Sequence, residues 1–157
     1  MKKTLFFLSF ILLLSSCGNE DDICMSTDST PRLKLKFKSE ITGKLIQLDS
    51  LYVDVDYGKA EPSAIISSAN VDSVFIPMRI DENPYTDIFI RTKKFGDKSK
   101  IRINYQSKNI YVSPACGFKK NYENLNAELL QSNPVLNVEP NHTSLTDESK
   151  INFYLRF

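Results

Sequence analysis

Hydrophobic and polar residues alternate with a period of two along most of the chain. The first such stretch places Leu33, Leu35 and Phe37 on one face and three lysines on the other. A period of two predicts a β-strand with one face buried and the other in water. Similar stretches occur at 51–57, 74–80, 88–90, 101–105, 110–112 and 151–157, with a short one at 135–138. Together they predict an all-β fold, an antiparallel β-sandwich of the immunoglobulin-like class with about seven or eight strands.

Turn-forming residues separate these stretches. Gly43, Gly58 and Pro84 each lie between two predicted strands, and the polar residues 106–109 predict a four-residue hairpin loop. We therefore expect the strands to pair mostly with their sequence neighbours. Residues 118–130 fit both a helix and a strand, and we interpret them as a helical turn followed by a strand.

The N-terminal segment has a different pattern. Lys2 and Lys3 precede an apolar stretch at 5–14, which is followed by two serines and Cys17. This is the layout of a secretory signal. Ten residues span about 15 Å as a helix, roughly half of a hydrocarbon core, so the stretch is too short to remain as a membrane span. We predict that residues 1–16 are a signal peptide that is cleaved off.

The residues at the cleavage point, Leu14-Ser15-Ser16-Cys17, resemble the bacterial lipobox, in which the cysteine is acylated and becomes the first residue. Each buried methylene of an acyl chain contributes about 0.8 kcal/mol, so two or more chains anchor a protein permanently. The resemblance implies a lipid on Cys17, and the alternative is a secreted protein in which this cysteine is incidental. The predicted organisation is a signal peptide at 1–16, a lipidated tether at 17–23 and one β-sandwich domain at 24–157.

Cleavage leaves the charge of the chain close to zero. It would remove two of the 20 basic side chains and none of the 19 acidic ones. A near-neutral chain is a poor candidate for binding nucleic acid or for electrostatic attachment to a membrane. We therefore expect no nucleic-acid partner, and membrane attachment through the N-terminal lipid alone.

Two cysteines remain once Cys17 is assigned to the lipid. The signal sends Cys24 and Cys116 to an oxidising compartment, where such a pair forms a disulfide. The bond would close a loop of about 93 residues and stabilise the fold by roughly 4 to 5 kcal/mol on the chain-entropy model. Two free thiols are the alternative. With His142 as the one histidine, the ligands of a zinc site are incomplete, so we predict no metal and no cofactor.

The tether after the lipid is short and acidic. Seven residue steps from Cys17 to Cys24 hold the domain within about 25 Å of the anchor. Glu20, Asp21 and Asp22 resemble the export tag that carries Bacteroidota lipoproteins to the cell surface, and a solvated linker is the alternative. The predicted location is the outer membrane, with the domain at the cell surface or on the periplasmic face.

Three sites resemble the Bacteroidota O-glycosylation sequence, an aspartate followed by a hydroxyl residue and then an aliphatic residue or threonine. The hydroxyl residues are Ser29, Ser50 and Ser73. The last two also fit the starts of strands. We interpret all three as candidate glycosylation sites.

Three segments together resemble a family of small Bacteroidota lipoproteins of unknown function. They are Asp22-Ile23-Cys24, Thr30-Pro31-Arg32-Leu33, and the stretch VSPACGFK at residues 112–119. The resemblance implies an all-β lipoprotein whose gene lies near that of a predicted outer-membrane barrel. It implies no known activity.

Few residues suggest catalysis. Nucleophile motifs, zinc-protease spacing and glycine-rich phosphate loops are absent from the sequence, and His142 fits a surface loop. Asp54 and Asp56 lie on one predicted strand face, roughly 7 Å apart, a spacing that suits a carboxylate pair or a calcium site. A solvated strand face is the simpler interpretation, and we assign no catalytic residue.

Two functional hypotheses follow. The first is a non-enzymatic interaction module that contacts an envelope protein, such as an outer-membrane β-barrel, through a face or a sheet edge. The second is a small-ligand or glycan binder, or an enzyme, with a site built around Asp54, Asp56 and Arg32. A deep polar pocket would favour the second, and a filled sandwich with an exposed apolar patch the first. We favour the interaction module.

Overall fold

A computed structural model of the chain describes residues 24–25 and 28–157. The predicted signal peptide, Cys17 and the acidic residues Glu20, Asp21 and Asp22 lie outside these ranges. Within them, no helix is long and apolar enough to cross a membrane. The described residues form nine strands: β1 (Leu33–Lys38), β2 (Leu48–Asp56), β3 (Ser63–Val71), β4 (Ser73–Ile76), β5 (Tyr85–Arg91), β6 (Ser99–Ser113), β7 (Gly117–Gln131), β8 (Asn137–Pro140) and β9 (Phe153–Arg156).

The strands form two sheets. One has the order β4-β1-β9-β8 and the other β3-β2-β5-β6-β7. All strand pairs are antiparallel except β1 with β9, which is parallel. Four of the seven pairs join sequence neighbours, while β1 pairs with β4 and β9, and β2 pairs with β5. Pairing between neighbours is therefore the majority pattern, as predicted.

The core lies between the two sheets. The inward residues of β1, which are Leu33, Leu35 and Phe37, are almost fully buried, and so are Val53 of β2 and Ile90 of β5. Each such side chain contributes about 1.5–3 kcal/mol when it is removed from water. The alternating pattern therefore marks the buried face, and the predicted all-β sandwich is confirmed with nine strands rather than seven or eight.

Two predictions for the C-terminal half are wrong. Residues 106–109 are not a hairpin loop, because β6 runs through them and the turn follows Ser113. Residues 118–130 contain no helical turn, because β7 is one continuous strand. The ladder between the two strands runs from the pair formed by Lys100 and Gln131 to the pair formed by Ser113 and Gly117. Since this ladder pairs the backbone of the polar segment, pairing overrides the local turn preference.

The strand β3 was not predicted, since its sequence SAIISSANV does not alternate clearly. Pairing with β2 along nine residues forms it, with a bulge opposite Val53 and Asp54. Only Asp72 separates the end of β3 from the start of β4. The chain therefore passes from the five-stranded sheet to the four-stranded sheet at Asp72, and β3 and β4 become edge strands on the same side of the sandwich.

Candidate functional site

The predicted disulfide is present. Cys24 and Cys116 are bonded, with their Cα atoms 5.6 Å apart. Cys116 lies in the turn between β6 and β7, followed by Gly117, whose positive φ of 69° favours glycine. The bond ties the start of the described chain to the tip of the β6–β7 hairpin.

The residues suggested for an alternative ligand or catalytic site are hydrogen-bonded to different partners. Asp54 accepts a hydrogen bond from Arg91 at 2.7 Å. Asp56 accepts a backbone N–H in the turn after β2, at 2.7 Å. Arg32 donates two hydrogen bonds to Glu148, at 2.8 and 2.7 Å. Each group is thus committed to a separate structural partner.

The single histidine lies in an exposed loop, as predicted. The backbone of His142 is held by Asn152, whose amide nitrogen donates to the carbonyls of His142 and Ser144 at 3.2 and 3.1 Å. Asn152 is only 1% exposed, although the alternating pattern assigned it to the outer face. Among residues 24–25 and 28–157, no three His, Cys, Asp or Glu side chains are grouped closely enough to hold a metal ion.

The three candidate glycosylation serines differ in environment. Ser29 is exposed near the N-terminus of the described chain. Ser50 is half-buried in β2, and its hydroxyl donates to the carbonyl of Thr92. Ser73 is half-buried and donates to Asp72 at 2.9 Å, which lowers the pKa of that carboxyl. Ser29 is therefore the most accessible of the three, and glycosylation stays a prediction.

A groove lies between β3 and β4, and we call it the seam groove. Its volume is about 370 Å³. Its β3 wall carries Ile65, Ile66 and Ser68, and its β4 wall carries Val74 and Phe75. The chain crossing at Asp72 closes one end of the groove, since β3 and β4 meet there. The walls are therefore mainly apolar, and each belongs to an edge strand.

A second hollow continues the seam groove beyond Pro77, which lines both. It has a volume of about 410 Å³ and is mainly apolar. Ile80, which is 69% exposed, and Met78 contribute apolar surface. The hydroxyl of Tyr57 donates to the carbonyl of Pro77 at 3.0 Å and fixes the two walls of the hollow to each other.

A buried polar network supports the floor of this hollow. The hydroxyl of Tyr122 donates to the carbonyl of Arg79 at 3.0 Å, and the N–H of Arg79 donates to the hydroxyl of Thr86 at 3.1 Å. The hydroxyls of Thr86 and Tyr105 are 2.9 Å apart. Burial raises the pKa of both tyrosines, which therefore stay protonated at neutral pH and can donate.

The outer edge of β3 is unusual for its length and composition. The strand has nine residues and contains neither a charged residue nor a proline. Among the described residues, no strand pairs with β3 on the side away from β2. Backbone N–H and C=O groups on this side are therefore available for pairing with another chain.

The other sheet edges are short or covered. β4 and β8 have four residues each, and each is terminated by a proline, Pro77 and Pro140. On β7, Tyr122 exchanges two backbone hydrogen bonds with Leu145, at 3.1 and 2.7 Å. The N–H of Leu125 also donates to the carbonyl of Thr143 at 2.8 Å. Beyond Asn104, β6 also lacks a partner strand on its β5 side, but that stretch contains Lys108. β3 is thus the one long uncharged edge without a cover in the described part of the chain.

The fold and these features define a disulfide-bonded β-sandwich with one open sheet edge beside an apolar groove. The chain belongs to the family of unknown function DUF6452, whose model matches residues 48–157. The matched region contains eight of the nine strands and begins at β2. No curated protein and no solved structure matches the chain. The predicted membership of a family of unknown function is confirmed.

Proposed function

We propose that this protein is a non-enzymatic interaction module, anchored in the outer membrane by a lipid on Cys17, that binds an extended segment of an envelope protein as an added strand on β3. The observation that carries the proposal is the uncovered, uncharged edge of β3. Folded proteins usually protect such an edge with charges, prolines, bulges or covering segments, since it otherwise pairs with other chains. The described part of this edge has the bulge opposite Val53 and Asp54 and, near its end, the irregular residue Asn70, whose φ is positive at 53° and whose carbonyl accepts a hydrogen bond from Gln47 at 2.7 Å.

The seam groove supports a peptide strand as the occupant. In strand addition, backbone hydrogen bonds supply affinity, and pockets for alternate side chains supply specificity. The groove and the adjoining hollow provide two such pockets along the same side of the sandwich. The charged group of the groove, Arg32, is already neutralised by Glu148. The walls therefore fit a segment with uncharged, apolar residues at alternating positions.

A second copy of this chain fits the edge less well. Pairing of two β3 strands would involve nine residues on each side. Stable interfaces engage about 20–30 residues on each side. A single extended segment does not need an interface of that size, because its side chains would also occupy the two apolar pockets. We therefore assign the edge to a partner polypeptide, with an outer-membrane β-barrel protein as the leading candidate.

Site-specific photocrosslinking in intact cells tests the binding edge. A photoreactive residue at Ser68, which is exposed and lines the seam groove, should give a discrete adduct with one envelope protein. The same residue at Ile41, which is 95% exposed in a turn, is the matched control and should not. Identical adducts from both positions would contradict the proposal. An adduct between two copies of this chain would replace the partner by a homodimer.

Substitution of Cys17 tests the anchor. Cys17→Ala should give an uncleaved or soluble precursor, because the acylated side chain is the attachment point of the predicted lipoprotein. Fractionation of cells followed by immunoblotting measures this. A variant that is still processed and membrane-bound would disprove the lipid assignment, although it would leave the binding edge untouched.

The acidic tag is tested separately. Replacing Glu20, Asp21 and Asp22 with alanine should keep the protein in the outer membrane but hide it from protease added to whole cells. The tag precedes the disulfide-bonded Cys24, so we expect little effect on folding. Wild-type protein that is already protected from protease would place the domain on the periplasmic face.

A further inference from the structure

The β6–β7 hairpin extends beyond the rest of its sheet. β5 pairs with β6 only from Ser99 to Asn104, whereas the β6–β7 ladder continues to Ser113 and Gly117. We call the part from Gln106 to Glu123 the arm. Its β6 strand has about eight residues, a length of roughly 26 Å. The arm is packed as far as Lys120, since Tyr122 and Lys120 are buried, and beyond Lys120 it leads to the exposed tip and the turn with Cys116.

The tip of the arm carries exposed aromatic residues. Tyr111 is 57% exposed and Phe118 is 70% exposed. The two face each other in the ladder, with their ring centroids 5.3 Å apart. Met25, which is 68% exposed, follows the cysteine that is bonded to this turn. The tip therefore presents several apolar side chains to the surroundings.

The aromatic pair lies on one face of the arm. Strand alternation places Lys108 and Lys119, which are three residues before Tyr111 and one residue after Phe118, on the opposite face. Aromatic side chains are enriched in protein segments at the interface between lipid headgroups and acyl chains, where the rings favour the upper acyl region. The exposed ring pair is therefore the feature of the tip that fits a lipid surface.

The length of the tether determines what the tip can reach. Cys24 is bonded to Cys116 in the turn of the arm. Seven residue steps from Cys17 to Cys24 span at most about 25 Å, whatever their conformation. A lipid on Cys17 therefore keeps the turn of the arm within that distance of the bilayer. An arm in any other orientation would expose its aromatic tip to water beside a lipid surface.

We infer that the tip of the arm docks on the bilayer surface, with Tyr111, Phe118 and Met25 in contact with lipid. This inference rests on the lipid anchor of the proposed function, but not on the β3 edge. β3 and β7 are the opposite edges of the five-stranded sheet. Docking through the arm therefore leaves the β3 edge open to a partner.

Tryptophan fluorescence tests the inference, because the chain contains no tryptophan. The lipidated full-length variant Phe118→Trp is reconstituted in vesicles of phosphatidylethanolamine and phosphatidylglycerol that contain phosphatidylcholine brominated on its acyl chains. We expect a blue shift and the loss of most of the emission. Tyr111→Trp should behave in the same way, so the result does not depend on a single variant.

Phe95→Trp is the matched control. Phe95 is 93% exposed and lies in the turn before β6, at the opposite end of that strand from the arm tip. Fifteen residues of β6 separate the two ends by roughly 50 Å. Emission from the control should be unaffected by the brominated lipid.

Four results would overturn the inference. Vesicles that carry the protein but leave Phe118→Trp unquenched would reject docking of the tip while retaining the anchor. Equal quenching of the control would reject the orientation. Protein that does not float with vesicles would reject the anchor, and with it the inference. An introduced Trp at position 118 that is shielded from water in native membranes but not in vesicles would assign the tip to a protein partner.

Discussion

The five-stranded sheet ends in two edges of very different character. On the β7 edge, Tyr122 and Leu125 form backbone hydrogen bonds with residues 143–145, and Cys116 joins the hairpin to the N-terminal segment. On the β3 edge, nine uncharged residues border an apolar groove, and no described strand pairs with their outer side. Both strands are exposed to water over much of their length, so exposure alone does not distinguish them.

The difference shows how a small sandwich can be closed on one side and open on the other. The loop before β9 folds over β7 because Leu145 is fully buried there and Asn152 holds the loop backbone. The chain beside β3 has no such loop, since a single residue, Asp72, leads directly into β4. A long connection can cover an edge, whereas a one-residue connection cannot.

The largest effect is expected from the bond that secures the β7 side. Cys24→Ser and Cys116→Ser should each lower the free energy of unfolding by about 2–4 kcal/mol, because the unfolded chain gains freedom when the loop is opened. The double variant should be no less stable than either single variant, since the same bond is lost in all three. Urea unfolding under non-reducing conditions measures this. Additive losses would show that the cysteines act independently.

The next prediction compares a buried residue at the covered edge with a partly buried residue at the open edge. Leu145→Ala should cost about 3 kcal/mol, because it leaves a cavity where the loop packs on β7. Ile66→Ala should cost about 1 kcal/mol, because Ile66 is only partly buried beside the seam groove. Thermal and urea unfolding of both variants test the difference. Equal losses would mean that the β3 side is as well packed as the β7 side.

A pH-dependent contribution is expected where β5 supports the base of the β6–β7 hairpin. Asp87 is 4% exposed, lies 2.8 Å from Lys100 and accepts two hydrogen bonds from Arg102, at 2.7 and 2.9 Å. Burial raises the pKa of Asp87, but the hydrogen bonds outweigh it and hold the pKa below its ordinary value. The stabilisation is thus present above the unfolded pKa of about 4 and is lost as pH falls through the folded pKa.

Asp87→Asn should therefore lower the free energy of unfolding by about 2 kcal/mol near neutral pH, since the two cationic partners stay partly hydrated. The difference between variant and wild type should shrink steadily as the pH is lowered below about 4. Urea unfolding across this pH range measures it. A difference that does not change with pH would show that the charge of Asp87 is not what stabilises the hairpin.

The smallest effect is expected on the open edge itself. Ser68→Lys should change the free energy of unfolding by less than about 0.5 kcal/mol, because Ser68 is exposed and has no covering segment. The added charge should nevertheless weaken capture of the partner, because the seam groove is mainly apolar. Ile41→Lys adds the same charge in an exposed turn and is the control. A large loss of stability from Ser68→Lys would mean that the edge is covered.

Much of the fold follows from local patterns. The alternation at Leu33, Leu35 and Phe37, and again at Val53 and Ile90, predicted strands whose inward residues are buried. The two cysteines that remain after Cys17, together with the oxidising compartment, predicted the disulfide. Asn152 could not be predicted, because its burial depends on a loop that folds over it from ten residues away. The candidate edge could not be predicted either, since β3 lacks a clear alternating pattern.

The sequence by itself determined the buried faces of the strands and the pairing of Cys24 with Cys116, because burial periodicity and cysteine chemistry are local properties. The tertiary structure decided which edges are closed, how far the β6–β7 hairpin extends and where β3 and β4 leave a groove. These features depend on which strands become neighbours and on which loop covers which edge. Such choices are made by contacts between distant residues, which no local pattern in one sequence specifies.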